Sequence, residues 1–440
     1  MIGALNILYL TDNCFLKEKR TKYVIQQDTK DKHLKDIFLY ILKNGTATRA
    51  TLAKTLRISA PAVSSLVDEE IKMGLLNEYI EGKNYNVGRP PVTLKVNNSV
   101  INIPVIIFKR SGFKFTLYDL SFNELETFFV PYISDFTDGI NYDENIVTPP
   151  KLIPTNIVVD SIIDILDKRS KIFVKSKMNA LIISFPGNIC EGSKFFVSIP
   201  MRAQISYDVL EKLQKYYDNK PLLFGNDSLF YAYAERNFNN TSLKDNKQDD
   251  LIFININIGI GAGIIYNGEL VTDLITSEIG HITINYNGVQ CQCGSRGCLE
   301  RYININILIN EVKNEIKNGR DSEVIRLVNY NINALSLNEL RLAYENNDEL
   351  VCEIIKKAAE QLAFGISNMV SIFTIKNIII GGGIETLGNK FLETVIAKSK
   401  VVGLRQLMND IHISYPQKGV NGESIGAIRY YIEKYLKIDN

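Results

Sequence analysis

Three cysteines fall within eight residues, at Cys291, Cys293 and Cys298, and one of only three histidines in the 440-residue chain, His281, stands ten residues before the first. Three thiolates and one imidazole complete the tetrahedral shell of Zn²⁺, and Gly294 and Gly297 permit the tight turns that aim the sulfurs at one point. A shell filled by protein ligands leaves no position for a reactive water, so a structural zinc site is expected; a buried thiol cluster without metal is the alternative. Cys14, Cys190 and Cys352 are scattered, and in a reducing compartment the clustering of the other three points to metal rather than disulfides.

A second constellation lies at Phe224-Gly225-Asn226-Asp227, where an amide and a carboxylate follow an apolar run and precede a helical segment. Such a pair at a strand end suits sugar hydroxyls, which both donate and accept. Taken alone, the same two residues read more readily as a helix cap. Gly259-Ile260-Gly261-Ala262-Gly263 and Gly381-Gly382-Gly383 each follow a strand-like run, and glycine turns let backbone amides approach a phosphate. Either run also reads as tight turning, and Asn267-Gly268 makes the first look like a hairpin.

These groups need a scaffold, and the composition supports one. At 45% hydrophobic and 22% charged residues, with 12 Pro and 28 Gly, the chain falls outside the disordered, collagenous and low-complexity classes. Its length predicts two to three domains. Lys and Arg number 50 against 49 Asp and Glu, so nothing argues for wholesale coating of nucleic acid or anionic membrane. The balance is uneven, however: residues 1–95 hold 15 basic against 10 acidic residues, a net of +5, leaving −4 for the rest. The apolar start at 1–10 lacks the features of a signal peptide, and the longest apolar run, 251–266, is broken by Asn255 and Asn257. A cytoplasmic protein without a membrane span is expected.

Within 32–43, Leu34, Ile37, Phe38, Ile41 and Leu42 recur at helical spacing until Asn44-Gly45 ends the pattern. A second helix fits 49–56, capped by Thr48, with Leu52, Ala53 and Leu56 on one face. Ser59 caps a third, with Pro61 in its first turn, Val63, Leu66, Val67 and Ile71 inward, Ser64 and Ser65 outward, and Gly74 as its stop. Strands at 75–80 and 92–96 flank a loop at 82–88 closed by Arg89-Pro90-Pro91. This is the winged helix-turn-helix plan, whose last helix enters the major groove of double-stranded operator DNA. Ser59, Ser64, Ser65 and Arg89 are the candidate contacts. A three-helix protein-docking module is the alternative.

Glu278-Ile279-Gly280-His281, followed by the three cysteines and Leu299-Glu300, resembles the signature of the ROK family (repressor, ORF, kinase), which groups sugar kinases with sugar-responsive repressors. Together with Gly88-Arg89-Pro90-Pro91 and the winged helix, the chain is similar to the NagC/XylR-type repressor branch, from about residue 31 to its end. The resemblance implies a duplicated α/β, two-lobed actin-like or hexokinase-like (ribonuclease H-like) domain with a monosaccharide in its cleft, usually in dimers or tetramers. Carried over, Asn226, Asp227, Glu278, His281 and Glu300 bind sugar, and Asp227 stands where family kinases hold their general base. His281 then turns one nitrogen to zinc and the other toward the sugar.

The chain departs from the kinases of that family at the phosphate loops. Their AspXGlyGlyThr is replaced by Phe108-Lys109-Arg110-Ser111-Gly112 and their GlyThrGly by Asn257-Ile258-Gly259, which removes the main support for MgATP. Pro186-Gly187 matches, but Ile199-Pro200-Met201-Arg202 lacks an expected Asn and admits an acidic ligand through Arg202. The resulting expectation is a transcriptional repressor of carbohydrate-utilisation genes, not an enzyme, tuned by a monosaccharide or sugar phosphate and acting as a homodimer or homotetramer. It divides into an extension (1–30), a winged helix (31–97) and a sugar-binding domain (98–440), with lobe one at 98–226 plus a helix at 422–438 and lobe two at 227–421. An ATP-dependent sugar kinase with an accessory DNA-binding domain, favoured by the retained Asp227, and a scaffold that binds another protein are the rivals. Helices are predicted at 353–367 and 391–400 and a solvated turn at 345–349; no internal repeat is visible.

Overall fold

The computed structural model describes residues 7–8, 22–80, 92–109, 111–131, 151–168, 180–189, 195–198, 201, 203–217, 221–236, 250–271 and 278–434. Thr48 and Ser59 accept backbone N–H groups from Thr51 and Ala62, and so open the helices Arg49–Leu56 and Ala60–Lys72 where their caps predict. Leu34, Ile37, Phe38, Ile41, Leu52, Val63 and Val67 are buried together with Leu94 of the antiparallel hairpin Leu76–Ile80 and Val92–Val96. Arg49 braces this unit, pairing with Asp68 of the third helix at 2.9 Å and with Glu78 of the hairpin at 2.5 Å.

Three details differ from expectation. The first helix runs Lys22–Asn44, ten residues longer at its start, because Gln26, Gln27 and Lys30 sustain a helix by propensity with no core stripe to mark it. The hairpin strand starts at Leu76, since the Leu75 N–H closes the preceding helix on the Glu70 carbonyl. Ser64 is half-buried rather than outward, while Ser59 and Ser65 are exposed. Arg89 and the 82–88 loop lie outside the described residues.

Two larger sheets follow, and their strand orders match. The first runs Ile7–Leu8, Leu222–Gly225, Leu181–Ser184, Ile103–Lys109, Gly112–Tyr118, Glu124–Pro131. The second runs Glu269–Leu270, Ile260–Tyr266, Leu251–Ile256, Asn377–Gly381, His412–Ser414 in the reverse direction of writing. In each, three consecutive antiparallel strands form a meander, and two further strands add in parallel beside the first of them. The fold is thus built twice, a repeat that the sequence hides because only turn chemistry and apolar runs are shared. Asn267 and Gly268, both at positive φ, make the tight turn that their dipeptide predicts. Ile7–Leu8, expected in an extension, adds a sixth strand to the first sheet.

Helices Asp227–Glu235 and Gly422–Lys434 pack against each other and join the two sheets. One apolar core runs from Leu34 and Phe38 of the winged helix through Ile103 to Phe230 and Tyr431 of these helices. A second core lies under helix Glu349–Phe373, which is longer than predicted, and helix Asn389–Ser399. Residues 345–349 join helices Leu337–Glu345 and Glu349–Phe373 in a largely exposed turn in which Asp348 caps the long helix. No described helix is long and apolar enough to cross a membrane. The whole is an α/β, two-lobed actin-like architecture preceded by a winged helix.

Candidate functional site

Strand Leu222–Gly225 ends at Asn226, which caps the next helix by accepting the Ser228 N–H at 2.7 Å and donates its amide to the Gly187 carbonyl at 3.1 Å. The cap reading of this residue and its place beside the Pro186-Gly187 turn therefore both hold. Asp227 opens the helix, and the Asn255 amide, buried in strand Leu251–Ile256, donates to its Oδ2 at 3.0 Å and to Ser228 Oγ at 3.1 Å. Burial, and then the neighbouring Glu423, push the Asp227 carboxyl up to about 6, against the pull of Lys109.

Glu423 is the second residue of the C-terminal helix and only 2% exposed. Both its oxygens are engaged: Ser184 Oγ donates to one at 2.6 Å and Lys109 Nζ to the other at 3.1 Å. Burial works against the Lys109 charge, but Glu423 and Asp227 outweigh it and hold the ammonium above its ordinary range. Lys109 ends the strand Ile103–Lys109 and pairs in register with Gly112 of the next strand.

The other glycine runs have packing reasons. A Cβ on Gly263 would fall 2.4 Å from the Ser228 carbonyl, so this glycine lets helix Asp227–Glu235 lie directly on strand Ile260–Tyr266. At the triple-glycine turn, the Gly383 N–H already donates to the Glu385 carboxylate at 2.7 Å.

Glu300 accepts the Ile260 N–H at 2.9 Å, and burial raises its pKa despite His281 nearby. Gly280 also abuts Ile260, so the turn Ile279–His281 and Glu300 seat on the start of the strand that carries Asp227's helix. His281 points Nδ1 at Cys291 Sγ, 3.6 Å away, and Nε2 at Glu278, 3.7 Å away. Cys293 and Cys298 sulfurs are 3.6 Å apart, and the four ligand atoms of His281, Cys291, Cys293 and Cys298 lie within 4.8 Å of one another. Sulfurs around a tetrahedral ion at ~2.3 Å bond length stand roughly 3.7 Å apart, so the cluster has the size for a metal ion. The donor chemistry agrees. Burial opposes the Cys291 thiolate, but hydrogen bonds from His281 and Cys293 bring the thiol down to about 7; burial and its sulfur neighbours push Cys298 up to about 12. Three thiolates coexist there only around a cation.

Ser228, next to Asp227, abuts Gly261 and Gly263 of strand Ile260–Tyr266, while Gly280 and Glu300 meet its first residue, Ile260. Arg110 and Arg202 lie outside the described residues. Sequence reasoning missed Ser184, Asn255, Glu385 and Glu423. A signal existed for Asn255, a polar residue inside a six-residue apolar strand. Glu423 carries no local signal.

The model of the ROK family matches residues 131–433. The xylose repressor of Caldicellulosiruptor bescii is 28% identical over 365 residues, which cover 80% of this chain and 83% of that one. The crystal structure of a ROK family transcriptional regulator, a homolog of the E. coli MLC protein, superposes with a TM-score of 0.72 at 18% identity, covering 92% of this chain and 96% of its own. A ROK glucokinase from Streptomyces griseus, solved with glucose and AMPPNP, superposes at 0.56 and 19% identity and covers 74% of this chain and 97% of its own. Since the family match covers well over half of the chain and takes in Asn226, Asp227, Glu423 and the cysteine cluster, the chain belongs to the ROK family.

Proposed function

We propose that this protein is a cytoplasmic, sugar-responsive transcriptional repressor of carbohydrate-utilisation genes, which binds a monosaccharide or sugar phosphate without phosphorylating it. The observation that carries the reading is the Lys109–Glu423 pair at the tip of the first lobe's opening hairpin. It fills with an internal cation the place where family kinases hold phosphate and metal, and Glu385 fills the triple-glycine turn with an internal anion. MgATP would have to displace both. The N-terminal unit at 31–97 reads operator DNA through helix Ala60–Lys72, with the exposed Ser59 and Ser65 and Arg89 as contacts, and residues 98–440 are its sensor, in a homodimer or homotetramer. Lobe one comprises 98–226 with the C-terminal helix, and lobe two 227–421. Asn226, Asp227, Glu278, His281 and Glu300 hold the sugar.

His281, Cys291, Cys293 and Cys298 would hold a structural zinc, whose chemistry there is to lock the loop that carries Glu278 and Glu300. The kinase reading keeps one favourable observation, an Asp227 carboxyl raised to about 6 and so suited to a base. Thermal shift of the full-length protein against D-xylose, D-glucose, N-acetylglucosamine and their phosphates, with and without MgATP, separates the two. Stabilisation by one sugar without ADP release supports the repressor. Turnover of about 1 per second or more establishes the kinase.

A further inference from the structure

Helices Asp227–Glu235 and Gly422–Lys434 lie in parallel. At the cleft end, Asp227 and Glu423 both feel Lys109. Midway, a Cβ on Gly426 would sit 1.7 Å from the Phe230 carbonyl, so the two backbones are in contact. Further on, the Arg429 guanidinium donates to the Ala234 carbonyl at 2.7 Å. Neither helix can slide along the other without breaking these contacts.

Their far ends meet the DNA-binding unit. Glu433, with 11% of its side chain exposed, accepts from Arg236 at 2.8 Å and from the Tyr233 hydroxyl, and pairs with Lys43 of the first helix at 3.4 Å. Burial opposes its charge, but Arg236 and Lys43 outweigh it and keep the carboxylate below its usual range. Lys35, two turns back on the same helix as Lys43, also lies in the field of Glu433.

We infer that the two helices form one strut that carries the state of the cleft to the winged helix, with Glu433 as its joint to Lys43. The inference rests on the reading of the cleft as a sensor and of the N-terminal unit as its output. A ligand that prefers one arrangement of Asp227 and Glu423 then moves the strut as a body, and the winged helix with it.

The test needs neither sugar nor DNA, so its failure is distinct from a failure of the repressor reading. Amide hydrogen exchange of the full-length protein is followed at residues 34–44 and 60–72 in a double-mutant cycle of Lys109→Met and Glu433→Gln. Lys109→Met alone is expected to change exchange in the winged helix roughly fivefold, and that response is expected to vanish in the Glu433→Gln background. Lys43→Gln repeats the joint mutation without stranding the half-buried Arg236 guanidinium, and Ser184→Ala repeats the cleft mutation on the other Glu423 oxygen. Additive effects, or no response of residues 34–72 to either cleft variant, would overturn the strut and leave Glu433 as a mere fastener.

Discussion

The cysteine cluster and the group around Lys109 and Glu423 are both small constellations, but they are assembled differently. His281 to Cys298 spans eighteen residues, so that site closes whenever one loop wraps a cation. Lys109 and Glu423 are 314 residues apart, and with Ser184, Asp227 and Asn255 they meet only when both sheets and the last helix are in place. The first is a local clamp whose geometry is independent of lobe arrangement. The second depends on that arrangement, as the proposed sensor requires.

Metal removal breaks the comparison hardest. One zinc per chain is expected from elemental analysis, and Cys293→Ser should lose it together with sugar binding and much of the ligand domain's thermal stability, since structural zinc contributes on the order of 10 kcal/mol to folding. A wild-type stoichiometry near zero, or an unchanged melting curve, would contradict the clamp.

The cleft should respond without unfolding. Asp227→Asn is expected to weaken sugar affinity by about 1.5–3 kcal/mol in calorimetry while the fold stays intact. Because the wild-type carboxyl titrates near 6, its affinity should fall as pH drops below that value, and the variant's profile should be flat. A pH-independent wild type would place the sugar elsewhere.

A third buried carboxylate sharpens the contrast, because it belongs to neither site. Glu70 on the third helix is fully buried with both oxygens unpartnered, and burial, aided by Glu69, pushes it up to about 9. Its folded value exceeds the unfolded one, so its contribution is intact below about pH 4.5 and stability is lost as pH rises toward 9. Glu70→Met should raise stability at pH 8 by roughly 1–3 kcal/mol and flatten that slope in pH-dependent melts; an unchanged slope would show that Glu70 finds a partner. The smallest effect is expected at the wing. Arg89→Ala should cost about 1 kcal/mol of DNA affinity in anisotropy titrations and lower the salt slope by about one, with sugar binding untouched.

The same contrast explains what the sequence made legible. Thr48, Ser59 and Gly74 bound the helices of the winged unit because caps are local, and the metal ligands stood out because their spacing is local. The duplicated strand order was implied by the family resemblance but by no repeat within the chain, since hairpins and crossovers constrain turns and hydrophobicity rather than identities. Lys109 was visible as a missing acid and as a cation able to attract an anion, but its partner was Glu423, which nothing near Gly422 announces. Glu433 and Arg236 were invisible for the same reason: a joint between distant helices leaves no pattern in either.

The most direct test is fluorescence anisotropy of the full-length protein on its own promoter region at physiological salt, titrated with the sugar that stabilises it, with ADP formation monitored in the same cuvette with MgATP. The account predicts binding at least tenfold tighter than to random DNA, weakened about tenfold or more by the sugar, with no ADP formed. Steady ADP release with DNA affinity indifferent to sugar would contradict it.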